Sequence, residues 1–156
     1  MSALGDLIKL NKQKAVPFKD GQSLIWEQGG LYATFGAWTA GAANVTELTI
    51  TVKNVDGTAV STPTQFLLWL SDASDGEGLT ATTTSGAVTA KASSGTDFGA
   101  LTAKKCFIGQ TKDNGTFILS VTDTAKTEGF YAAVAPIGSG IRKVTSASTV
   151  TASYGA

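Results

Sequence analysis

In residues 46–52, Leu48, Ile50 and Val52 alternate with Glu47, Thr49 and Thr51. A period of two sends successive side chains to opposite faces of an extended strand. This run therefore has one dry face and one wet face, and the dry face demands a second layer to bury it. The wet positions are largely threonine, and the chain holds 23 Thr and 13 Ser, with 18 Gly but only 3 Pro. Threonine is β-branched and suits a half-exposed pleated surface, while Gly and Ser supply turns. The same composition occurs in disordered chains, but alternation this strict argues for packed strands.

Further strand signals follow. Asp56-Gly57 marks a hairpin turn. Residues 65–70 (QFLLWL) form a nearly continuous apolar run, expected as a central strand buried on both faces with Trp69 in the core. Weak strand character appears around 87–91. Residues 105–111 and 116–122 flank Asp113-Asn114-Gly115 and read as the best hairpin in the chain. A loop at 124–129 precedes two closing strands, 130–135 and 141–154. Seven or eight short strands with turn signals every 8–14 residues predict an all-β, antiparallel sandwich rather than βαβ units. A chain of 156 residues is one domain's worth and hides roughly 70% of its unfolded surface.

The first 40 residues differ from the rest. They hold five of the 13 aromatics and no clean period, so the chain divides into an irregular arm, 1–40, and a sandwich domain, 41–156. Residues 3–12 place Leu4, Leu7 and Ile8 at helical spacing, and Pro17 and Asp20-Gly21 then break the chain. Aromatics are enriched at protein interfaces. Leu4, Leu7, Ile8, Leu10, Phe18, Trp26, Tyr32, Phe35 and Trp38 are accordingly the candidate attachment and oligomerisation residues. The competing reading has the aromatics closing the bottom of the sandwich.

Composition excludes much chemistry. Twelve basic and twelve acidic residues balance, so the clustered phosphate contacts of a nucleic-acid binder are missing. The sequence contains no His, the usual general base near neutral pH and the commonest ligand of catalytic zinc. With one cysteine, Cys106, an intrachain disulfide is impossible. Lys104 and Lys105 beside it would favour a thiolate, but a small apolar residue in a strand is the simpler role. The segment 71–78 (SDASDGEG) offers three carboxylates, yet lacks the alternating ligands and terminal Glu of a calcium loop and reads as a turn. Asp56, Asp97, Asp113, Asp123 and Glu128 fall in turns or on wet faces, not in pairs suited to glycoside hydrolysis. Gly29-Gly30 and Gly138-Ser139-Gly140 lack the lysine and strand-to-helix context of phosphate loops.

No apolar run approaches the ~20 residues of a membrane span. The opening residues, 1–10, lack a basic stretch ahead of their apolar positions, so synthesis and folding in a cytoplasm are expected.

Several segments resemble small structural proteins of tailed-bacteriophage virions. They are FLLWLSDASDGEGLT at 66–80, TKDNGTF at 111–117, LSVTDTAKT at 119–127, GFYAAV at 129–134 and the ending 144–155, so the likeness covers roughly 45–155. It implies an immunoglobulin-like β-sandwich serving as a capsid decoration (cement) or head-fibre protein, without catalytic residues, cofactor or metal. The expected partners are the major capsid protein and further copies of the chain, as a homotrimer, with no nucleic acid and no membrane. The expected location is the capsid surface of the virion, after synthesis in the host bacterial cytoplasm. The alternatives are a tail-tube or tail-associated protein, and a carbohydrate-binding module presenting Trp and Tyr on a sandwich face.

Overall fold

The structure, a computed structural model, describes residues 30–137 and 144–156. Among the described residues nine strands run in chain order: β1 (Tyr32–Ala40), β2 (Val45–Lys53), β3 (Gln65–Ser71), β4 (Val88–Ala90), β5 (Thr96–Thr102), β6 (Cys106–Gln110), β7 (Thr116–Thr122), β8 (Tyr131–Pro136) and β9 (Val144–Thr145). A short 3₁₀ turn, Thr151–Ser153, follows. The strands form a four-stranded sheet, β1-β2-β7-β4, and a five-stranded sheet, β5-β6-β3-β8-β9, with every pairing antiparallel. This is the predicted all-β antiparallel sandwich.

The alternating residues do what their period requires. Leu48, Ile50 and Val52 of β2 face Phe66, Leu68 and Leu70 of β3 across a core that also takes Phe117, Leu119 and Val121 of β7. Phe66 and Phe117 meet edge to face, with centroids 5.0 Å apart. Gly109 of β6 makes room for them, since a Cβ there would come within 2.7 Å of Phe66 Cζ.

The structure corrects four expectations. Residues 32–40, assigned above to the arm, form β1, an integral strand paired with β2 from Tyr32↔Lys53 to Ala40↔Thr46. The arm outside the described residues is 1–29, and Leu4, Leu7, Ile8, Leu10, Phe18 and Trp26 all lie there. Within β1, the two residues between Phe35 and Trp38 oppose a single residue, Thr49, on β2, a bulge. It reverses the side-chain parity, so Ala33, Phe35 and Trp38 all turn toward the core, and no two-residue period survives in the sequence.

The second correction concerns the expected hairpin. Strands β6 and β7 do not pair; β6 lies between β5 and β3, whereas β7 lies between β2 and β4. The turn at 112–116, closed by Lys112 N–H to the Thr116 carbonyl at 2.8 Å, carries the chain from one sheet to the other. Inward residues on both strands (Phe107 and Gly109; Phe117, Leu119 and Val121) meet the same core from opposite sides. Local turn chemistry cannot distinguish this crossing from a flat hairpin. Gly115, at φ +75°, sits where a Cβ would lie 2.9 Å from the Val52 and Val60 carbonyls.

Third, Trp69 is not core. β3 is central, but only Phe66, Leu68 and Leu70 point inward, while Leu67 and Trp69 lie on the outer face, half-buried. Fourth, the expected closing strand at 141–154 is reduced among the described residues to β9, followed by extended chain and the 3₁₀ turn. That segment acts as a strap. The Trp38 indole donates to the Ala147 carbonyl, and Ala43 pairs in parallel with Gly155.

Candidate interaction surface

The two outer faces of the sandwich have different chemistry. On the four-stranded sheet, β2 and β7 turn outward Glu47, Thr49, Thr51, Lys53, Thr116, Ile118, Ser120 and Thr122, and Glu47 pairs with Lys91 at 2.7 Å. This is a hydroxyl-rich, solvated face. On the five-stranded sheet, the register stacks Ala135, Leu67 and Ile108 in one outward row and Ala133, Trp69 and Cys106 in the next. Tyr131, opposite Ser71, shares that face. Ala133 is fully buried, while Leu67, Trp69, Cys106, Ile108 and Ala135 stay partly exposed, an apolar surface of the kind proteins use to meet each other.

The loop at 72–79 lies across this face. Thr145 donates its hydroxyl to the Ser74 carbonyl on the β9 side, and the Trp69 indole donates to the Gly76 carbonyl at 2.9 Å. Ser71 Oγ donates to the Glu77 carbonyl at 2.9 Å. Beneath the loop is a shallow recess of about 330 Å³, lined by Leu67, Trp69, Gly76–Gly78, Leu79 and Cys106. Leu79 is 45% exposed at its mouth, and Phe98 and Leu101 on the neighbouring edge strand are 55% and 62% exposed.

The acidic loop is held by its own carboxylates. Asp72 accepts the Thr80 hydroxyl and the Ala81 N–H, and these bonds hold its carboxyl below the usual range. Asp75 accepts the Glu77 N–H at 3.0 Å. No group of three or more Cys, Asp or Glu converges as a metal ion requires among the described residues. The Cys106 thiol is pushed up by burial. Its lysine neighbours are engaged elsewhere, Lys104 on the Thr84 and Ser85 carbonyls and Lys105 on the Ala81 carbonyl.

Asp123 is the most strongly held acid. Burial raises its pKa, but hydrogen bonds from Thr127, Ser85 and Ala125 outweigh that and bring it down to about 2. It organises the loop after β7. A second recess, of about 430 Å³, lies at the opposite end of the sandwich among Pro63, Ser93, Gly95, Thr96 and residues 110–113, and is lined by one Lys and one Asp. Every buried side-chain polar atom among the described residues has a hydrogen-bond partner. No helix among the described residues is long and apolar enough to cross a membrane.

Of the predicted interface residues within the structure, none forms a shared exposed patch. Trp38 is 8% exposed and packs edge to face on Phe130, with centroids 5.7 Å apart. Phe35 packs against the core, and Tyr32 sits at the start of β1. The apolar face of β3, β6 and β8 was missed because QFLLWL reads as a run buried on both sides and residues 105–111 read as one strand of a hairpin. Outward Leu67, Trp69 and Ile108 look like core in one dimension. Compared with protein-family models, curated proteins and solved structures, the chain matches none of them.

Proposed function

We propose that this chain is a structural assembly module, a decoration protein that binds the head surface of a tailed-phage capsid and stabilises its lattice, with the residues 1–29 arm taking part in attachment. The observation that carries this reading is the contrast between the outer faces, one hydroxyl-rich and one built of Leu67, Trp69, Ile108 and Ala135. A face of this kind is stable in a shell of repeated contacts, where burial of apolar area drives association.

The edges support contact through faces rather than through added strands. Strands β4 and β9 have three and two residues, and β1 and β5 are interrupted by bulges. Such devices disfavour edge-to-edge pairing. The resemblance of the strand-turn segments at 66–80 and 111–127 to virion proteins supports the choice of a phage head. So does an immunoglobulin-like reading of the strand order. β1-β2-β7-β4 takes the A-B-E-D positions and β3-β8-β9 takes C-F-G, with β5 and β6 added beyond β3. The departure is that β4 precedes β5 and β6 along the chain.

The test is co-sedimentation with tailed-phage heads stripped of decoration protein, using the intact chain and an Ile108→Glu variant. Saturable binding at a fixed ratio to capsid subunits, lost or much weakened in the variant, is the expected result. Failure of the intact chain to bind, or saturation on tails alone, overturns it.

Trp69 and Tyr131 on one face also favour a second reading, in which aromatic rings stack on sugars of a glycan.

A further inference from the structure

Resting on that assembly reading, we infer that the recess between Trp69, Leu67, Cys106 and the loop at 72–79 receives residues 1–29 of a neighbouring copy of this chain. Three observations lead there.

The first is position. Tyr32 pairs with Lys53, Thr51 with Thr116, and Gln65 with Gln110, so the chain enters the sandwich at the end that holds these residues. Trp69 pairs with Cys106 and Ser71 with Tyr131, which puts the recess toward the other end and on the other sheet. The 29 residues ahead of Gly30 reach up to about 95 Å when extended, ample to leave one sandwich and lie across the next.

The second is complementary composition. Those residues include Leu4, Leu7, Ile8, Leu10, Phe18 and Trp26, the apolar side chains that a face of Leu67, Trp69, Ile108 and exposed Leu79 would accept. They also carry Lys9, Lys12, Lys14 and Lys19 against three acids, while the loop over the recess carries Asp72, Asp75 and Glu77 and no base. Opposite charge at the rim guides register and speeds encounter.

The third is the condition of the edges. With β1, β4, β5 and β9 bulged or very short, an arriving segment gains more by covering an apolar face than by extending a sheet. An arm exchanged between copies ties each subunit to the next without a covalent bond.

Cys106 lines the recess and is the only thiol in the chain, so it reports directly on occupancy. Its reaction rate with 5,5′-dithiobis(2-nitrobenzoate) is measured on the intact chain over a wide range of protein concentration, and on a Leu7→Ser, Ile8→Ser, Trp26→Ser variant of the same length. The expected result is roughly tenfold slower labelling at high than at low concentration for the intact chain, with fast labelling throughout for the variant. Protection that does not depend on concentration means that each arm covers its own recess, and overturns the proposal. Equal rates in both proteins overturn it as well. A benzophenone attached to Cys106 in a mixture of isotopically light and heavy chains gives an independent readout. Cross-links that join light to heavy chains through residues 1–29 are expected, and cross-links confined to single chains sink the idea. Capsid binding that survives such a failure leaves the decoration reading standing and removes only the arm exchange.

Discussion

The Trp38 indole donates its N–H to the Ala147 carbonyl at 2.8 Å, across 109 positions of sequence. This bond joins the first strand of the sandwich to the strap that closes it, and the edge-to-face contact of Trp38 with Phe130 extends the junction into the core. The ring is therefore structural, and the end of the arm lies before it.

Truncation locates that boundary. Removing residues 1–29 leaves every described strand in place, so cooperative thermal unfolding should persist. Removing residues 1–40 deletes β1, which unpairs one edge of β2 and strips Ala33, Phe35 and Trp38 from the core, and the product should not give a cooperative transition. Trp38→Ala in the full chain should lower stability by about 3–5 kcal/mol in denaturant titration. A loss within experimental error would place Trp38 outside the core.

Gly109→Ala tests the ring pair. The added methyl meets Phe66 Cζ at 2.7 Å and Phe117 Cε2 at 3.3 Å, so the two rings must separate. Overpacking of this kind costs about 1–3 kcal/mol. Denaturant midpoints should fall accordingly, with the near-ultraviolet circular dichroism of the aromatic core altered.

Asp123 sets part of the acid stability. Its pKa is about 2 when folded against an ordinary 3.8, so the folded state favours the carboxylate. The stabilisation is complete above pH 4 and fades as pH falls toward 2, amounting to on the order of 2 kcal/mol. Asp123→Asn should be less stable than the parent at pH 7, with the gap narrowing as pH drops through that window. A gap constant from pH 7 to 2 would contradict the assignment.

Tyr154 acts at the other extreme. Burial, with Asp123 nearby, raises its phenol to about 12, and its hydroxyl donates to the Thr127 carbonyl at 2.8 Å. Because the folded pKa is raised, the stabilisation is intact below pH 10 and is lost as pH climbs toward 12. Tyr154→Phe should flatten that alkaline decline in melting temperature.

The glycan reading has its own test. Trp38 is buried and cannot stack on a sugar, so Trp69→Ala is the informative variant in polysaccharide pull-downs. Retention of the intact chain that disappears in this variant would favour glycan binding, and no retention of either protein would discard it.

Period-two alternation is a local property, and where the pairing is regular it survives into the fold. β2 was legible for this reason, as were its inward Leu48, Ile50 and Val52, while β7 was legible as a strand from the turn that precedes it. Strand β5, with bulges between Asp97 and Ala100 and again before Thr102, left no such trace, and the bulge between Phe35 and Trp38 hid β1 in the same way. A bulge shifts parity by one residue, and no window of sequence records which neighbour forces the shift.

The sequence alone determined that the chain builds paired sheets, makes no intrachain disulfide and has no histidine to move a proton near neutral pH. Those conclusions need only residue identity and spacing. Which side of QFLLWL faces water was decided by the tertiary structure, as was the crossing of the turn at 112–116 between sheets. Burial belongs to a pair of surfaces, and the second surface is brought up by residues far away along the chain.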